Sequence, residues 1–482
     1  MASGRRRRLA LGIVCAVAVI TAACGASGDG GKDAETEGPR ASQSTTPTPG
    51  GGDSWGDLAS VCGPGDYSVA KGQEGLPNGK LNIGIGTDRA SQIRPGVNED
   101  VWDASIAFVK WCNERGGVGG LEINPVELSA SLLEVESAMA TACTDVFAMV
   151  GGGMIQDDLQ FSGDDRSDFH RCGLVDIPGF TVSVQKGGSN GMVAPSSPPG
   201  QVFSTAALRS YQRLEPAKAS KVAVVYGDLP VVTMNKDKIV AGIGDVPGME
   251  VVGEFPYPIT GLTDWTPLAL RVVESGATTL MYVGEPSNLA SLLSSLREQN
   301  WKGTPLLETN TYDELLFSKG PGPVEGAVVR INQHPFEEAA RWPAVQQYLD
   351  NLRRQVPQGK SGALGVNSTS AWLLFVTAAY QCAGANQGVL DRTCLLQKAA
   401  AQDAWTGGGL HVAVNPTPAK DWDESAPTCD MLMVVRNGKF QRLYPKVGGD
   451  GDAGGGFACY DDGQTIIPEL KGKGAVDPSR PI

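Results

Sequence analysis

Histidine is scarce. Only His170, His334 and His411 occur, and none belongs to an H-E-x-x-H pair, so the helical zinc-hydrolase arrangement is excluded. No two cysteines are spaced as C-x-x-C, which removes the closely paired ligands of structural zinc sites. Gly84-Ile-Gly86 is followed by arginine, not glycine, at position 89, and no dinucleotide fingerprint follows any expected strand. No cofactor and no metal are expected. Basic charge is short as well: 40 Lys and Arg face 53 Asp and Glu, a net charge of −13. That balance argues against nucleic acid and against docking on anionic lipid heads. The apolar run over residues 9–20, about twelve residues, is too short to span a bilayer core.

What is present begins with Arg5, Arg6, Arg7 and Arg8, ahead of that run, followed by the small residues Thr21, Ala22 and Ala23. A basic head, a short apolar core and small residues at a cut site describe an export signal over residues 1–23. Ile20-Thr-Ala-Ala-Cys24 resembles the lipobox of bacterial lipoproteins, which implies acylation of Cys24 and a lipid foot on the outer face of the cytoplasmic membrane. Removing the four signal arginines takes the net charge from −13 to −17. Residues 24–54 are mostly Gly, Ser, Thr, Pro, Asp and Glu, without apolar periodicity. Such a tether, about thirty residues long, reaches roughly 30 Å.

Eight cysteines remain after Cys15 leaves with the signal and Cys24 takes lipid: Cys62, Cys112, Cys143, Cys172, Cys382, Cys394, Cys429 and Cys459. In an exported chain an even number points to disulfides, here four, although eight cysteines allow 105 pairings. Sequence proximity favours Cys112–Cys143, Cys382–Cys394 and Cys429–Cys459, leaving Cys62–Cys172.

The body exceeds 400 residues, enough for two cores. Lys80-Leu-Asn-Ile-Gly-Ile-Gly86 reads as a strand, residues 98–115 as a helix stopped at Gly116-Gly117, 123–128 as a strand and 132–147 as a helix. Residues 148–150 and 173–177 read as further strands. The alternation restarts at 221–226, with a helix to about 242 and a strand over 249–255. Thr266-Pro267 then offers a capping hydroxyl and a first-turn proline before a helix over 268–275. Strands over 278–283 and 305–308 flank a helix over 289–298. Strands alternating with helices predict two α/β lobes, each a doubly wound parallel sheet. Residues 183–200, rich in Gly, Ser and Pro, read as the crossover. Gly187-Gly-Ser-Asn-Gly191 fits G-x-S-x-G, but the proline-rich segment after it cannot be the helix a nucleophile elbow needs.

Trp111-Cys-Asn-Glu-Arg-Gly-Gly-Val-Gly119 and Thr263-Asp-Trp-Thr-Pro-Leu268, followed by Ser275-Gly-Ala and Tyr282-Val-Gly, carry a resemblance. With the order of elements they resemble the type I periplasmic binding proteins, the branched-chain amino acid receptor group that feeds ABC importers. The resemblance implies a hinge, an interlobe cleft and three crossings between lobes. Carried over, lobe one takes residues 62–206 plus 326–409, and lobe two 207–324 plus 410–470, including a hairpin around Asn437-Gly438. It also places a first-lobe disulfide at Cys112 and Cys143.

Ligands of open parallel sheets sit at the carboxyl ends of the strands. In lobe one those loops offer Thr87, Arg89, Gln92, Gly152, Gly153, Met154, Phe180 and Thr181; in lobe two, Tyr226, Asp228, Tyr282, Glu285, Asn310 and Tyr312. The triple glycine 151–153 reads either as a tight turn or as close backbone approach to a solute. Glu285 is the expected acid for a ligand amine. The family's amino-acid binders carry Ser and Ala-Thr where this chain has Gly152-Gly153 and Phe180-Thr181. That departure counts against strict amino-acid specificity; a small polar organic solute, amino-acid-like, is what the resemblance implies, captured by a monomer through hinge closure and passed to an ABC permease. The alternatives are a tethered sensor or scavenger and, more remotely, a secreted hydrolase; no catalytic residue is expected.

Overall fold

The computed structural model describes residues 54–75, 78–158, 167–195, 200, 202–416 and 428–470. The expected signal, Cys24 and all of the tether but Ser54 lie outside the described residues. Among the described residues no helix is long and apolar enough to cross a membrane.

The first sheet has four parallel strands in the order Ile123–Ser129, Leu81–Thr87, Ala148–Val150, Asp176–Ile177. Every residue of Leu81–Thr87 is buried, as a central strand covered on both faces should be. Glu99–Asn113 packs on this sheet, with acids in its first turn and Lys110 in its last, which suits the helix dipole. Ala363–Ala385 lies against it and is apolar nearly all round. Trp372 stacks on Phe108, and Trp55 meets Trp111 edge-on, in one continuous core.

The second sheet runs Lys439–Tyr444, Cys429–Arg436, Val328–Ile331, Thr304–Leu307, Thr279–Val283, Lys221–Gly227, Glu250–Tyr257. The last five are mutually parallel, and the terminal hairpin is antiparallel. Asn437 and Gly438 both take positive φ, 53° and 71°, the backbone that a two-residue hairpin turn requires. Separate apolar clusters fill the two faces of this sheet. Two α/β lobes, the first on a parallel sheet and the second on a sheet parallel but for its terminal hairpin, bear out the expected fold class.

Three expectations need correction. Residues 326–331 do not return to the first lobe: Val328–Ile331 is a strand of the second sheet, inserted between Thr304–Leu307 and the hairpin, and the chain crosses back only after it. Likewise Val202–Ser204 pairs with Gln464–Ile466, outside the first sheet. The disulfides are Cys62–Cys112, Cys143–Cys172, Cys382–Cys394 and Cys429–Cys459, so the expected Cys112–Cys143 and Cys62–Cys172 pairs are wrong. The segment at Gly63 bonds alongside Gly117, which brings Cys62 to the end of the Glu99–Asn113 helix, whereas Asp168–Arg171 packs on Val135–Asp145 and delivers Cys172 to Cys143. Finally, Thr266 is inside its helix rather than capping it. Its N–H donates to Asp264 at 2.9 Å, while Pro267 does sit in the first turn.

Candidate functional site

A cavity of about 370 Å³ lies between the two sheets, within the usual range for small-molecule sites. Lobe one supplies Arg94, Val97, Asn98, Leu132, Ile155 and the Phe180–Thr181–Val182 loop; lobe two supplies residues 282–286, 308–310 and part of the Pro230–Gly244 helix. Apolar side chains cover most of the wall.

Two buried aspartates hold the lobe-one wall. Asp88 accepts the N–H groups of Leu132 and Ile155, each at 2.7 Å, tying two cavity residues to the end of Leu81–Thr87. Burial raises the Asp88 carboxyl, and those two N–H groups oppose the shift. Ser131 and Leu132 sit at φ 47° and 69°, a left-handed pair that the Asp88 bond helps to fix. Asp157 accepts from the N–H groups of Val182 and Ser183 at 2.9 and 2.8 Å and so fixes the loop bearing Phe180 and Thr181. Burial pushes Asp157 up to about 6, against the pull of Lys186 and of those hydrogen bonds.

The lobe-two wall carries charge. Arg330, on Val328–Ile331, donates from Nε and Nη2 to Glu308 at 2.8 and 2.5 Å and lies 3.5 Å from Asp430. Asp430 also accepts from Ser204 at 3.1 Å, and burial raises it to about 6, with Arg330 opposing. Lys238 lines the same end of the cavity, and burial, reinforced by Arg330 and countered by Glu308, lowers it to about 7. Buried Tyr282 shares a 2.5 Å hydroxyl contact with Tyr257.

Of the residues named from sequence, Phe180, Thr181, Tyr282, Glu285 and Asn310 line this cavity. The others are placed elsewhere. Arg89 and Thr87 are bonded to Glu127, with Arg89 also over the Trp102 ring. Gln92 is exposed. Tyr226 packs under the Lys236 ammonium, and Asp228 accepts the Ile259 N–H. Tyr312 is buried with its hydroxyl on Glu337. The triple glycine faces protein: a Cβ would come within 2.4 Å of Trp372 at Gly151, 2.3 Å of the Gly86 backbone at Gly152, and 2.4 Å of Phe180 at Gly153. Met154 packs in the core. Ser189 of the G-x-S-x-G stretch is buried and donates to the Lys186 carbonyl. Glu285 is already engaged, since it caps Pro286–Glu298 through the N–H groups of Ser287 and Asn288 and lies 3.5 Å from Arg94.

Arg94, Asn235, Lys238, Glu308, Arg330 and Asp430 were not named from sequence. A signal existed. Lys238 falls on the same helical stripe as Val231 and Gly242, and Asp430 interrupts the apolar run of Cys429–Arg436.

Comparison with solved structures yields likenesses of fold at low identity. A fatty acid ABC transporter substrate-binding protein from Thermomonospora curvata is 18% identical over 77% of this chain and 92% of its own, with a TM-score of 0.64. A leucine-binding protein from Thermotoga maritima is 15% identical over 76% and 98%, with a TM-score of 0.60. A branched-chain amino acid transporter substrate-binding protein from Streptococcus pneumoniae, in complex with isoleucine, is 14% identical over 76% and 100%, at 0.58. No curated protein matches. The profile of one family, described as periplasmic binding protein, matches residues 175–435. That match covers more than half of the sequence, and with the two-lobed fold it shows that this chain belongs to the periplasmic binding proteins, a family that binds solutes rather than transforming them.

Proposed function

We propose that this protein is the extracytoplasmic solute receptor of an ABC importer, held to the membrane through lipid on Cys24. It captures a small organic solute, polar at one end and apolar along its body, by closing its lobes and then presents the closed shape to a permease. One observation carries this reading: a cavity of about 370 Å³ is walled from both lobes, so a solute gains its full set of contacts only when they are together. The solved relatives named for fatty acid, leucine and isoleucine support the class, since each of those ligands joins a carboxylate to an apolar body. A covalent step is not needed.

Native mass spectrometry of the full-length protein, combined with a thermal-shift screen of amino acids and aliphatic acids, tests the proposal. A cognate solute at a hundred times its Kd should add about 2.7 kcal/mol of stability. If no small solute co-purifies and none moves the melting curve, the reading fails.

A further inference from the structure

The charged end of the cavity leaves one cation unmatched. Arg330 is committed to Glu308 and Asp430, and its guanidinium lies 5.2 Å from the Phe203 ring. Lys238 is different. Its residue is only 5% exposed, it lines the cavity, and it makes no hydrogen bond or ion pair to any described residue. A buried ammonium without a partner is strongly unfavourable and is relieved either by losing its proton or by gaining an anion. Nearby, one oxygen of Glu308 and the side-chain oxygen of Asn332 are also buried without a partner.

Resting on the receptor reading above, we propose that Lys238 is the anchor for the solute's anionic group and that the solute is an aliphatic monocarboxylic acid. The head takes the Lys238 ammonium, and the body lies along Leu132, Ile155, Phe180, Val182 and Ile259. A single negative charge fits because one unmatched cation stands beside two carboxylates, Glu308 and Asp430, which repel a dianion such as phosphate. A zwitterionic amino acid fits less well. Its ammonium would need a free carboxylate, yet Glu285 is spent on its helix cap and on Arg94. Glu308 is half neutralised by Arg330, which bonds its other oxygen.

The test is calorimetry on the full-length protein with the straight-chain acids from butyrate to decanoate, their primary amides, and leucine. At least one acid should bind, with its amide weaker by roughly tenfold to a hundredfold, the range of a charge-assisted hydrogen bond. Lys238→Met should erase that preference, and Lys238→Arg should keep it. Ligand-free Lys238→Met should also melt above the wild type, because an unmatched buried charge has been replaced by an apolar chain of similar length. Amides binding as well as acids, or a preference that survives Lys238→Met, would overturn the anchor while leaving the receptor reading intact. Leucine binding alone, unaffected by Lys238→Met, would do the same. If no acid, amide or amino acid binds, both readings fall.

Discussion

Single side chains set the shape of this cavity from behind its walls. Asp88 has two oxygens and uses them on two backbone N–H groups in separate loops. Asparagine at that position keeps the volume but offers one acceptor and one donor, so one N–H faces another donor. Asp88→Asn should therefore cost about 1–3 kcal/mol in denaturant unfolding and weaken solute binding as well. His411 supplies a pH signature. Its Nδ1 lies 2.7 Å from the Val412 carbonyl and its Nε2 2.7 Å from the Ser370 hydroxyl, which also accepts from Trp405 at 2.9 Å. The neutral ring, protonated on Nδ1, satisfies every partner. Burial lowers it to about 4, with the Val412 contact opposing. The unfolded chain then binds a proton near pH 6.5 that the folded one refuses. Stability from this group is complete above that pH and is lost as pH falls towards 4, by roughly 3 kcal/mol in all. His411→Gln should flatten the unfolding free energy between those values relative to wild type, and an unchanged slope would refute the assignment.

At the scale of elements, the succession of strands and helices was readable because its signals are local. Ala148–Val150 falls where its apolar run and following glycines put it, and Pro286–Glu298 differs from expectation only at its start. Disulfide partners and the exit of Val328–Ile331 were not readable, because both depend on which segments lie side by side after the chain doubles back. The site was half legible for the same reason. Loops after strands are visible in a sequence, whereas a helix face such as the one bearing Asn235 and Lys238 faces the cavity only once the Pro230–Gly244 helix is docked. Glu285 shows how an element can claim a residue. It looked like a ligand acid, yet it is the cap of Pro286–Glu298, filling two of the N–H groups that a helix start leaves open. Glu285→Ala should lower stability by about 1 kcal/mol, measured by chemical unfolding. Glu285→Gln, which keeps an acceptor for the cap, should lose less.

At the scale of the whole molecule, the closure proposed above needs contacts that exist only when the lobes meet. Two are evident. Arg94, from the loop after Leu81–Thr87, donates to Asn288 at 2.6 Å and lies 3.5 Å from Glu285, both at the start of Pro286–Glu298. Asn235 donates to the Val182 carbonyl at 2.9 Å. On that reading an opened cleft would break both and return their groups to water, so their net worth is modest, about 0.5–3 kcal/mol each, with charge assistance at the upper end. A solute adds its own contacts to both walls and tips the balance further. Arg94→Ala should therefore leave the folding of each lobe untouched but raise Kd by roughly tenfold, through faster release more than slower capture. X-ray scattering should show the wild type contracting on binding at a ligand concentration that leaves Arg94→Ala extended, and raising the ligand should restore contraction in the variant. If the variant binds and contracts like the wild type, the latch lies elsewhere, and the cavity must be closed by the solute alone.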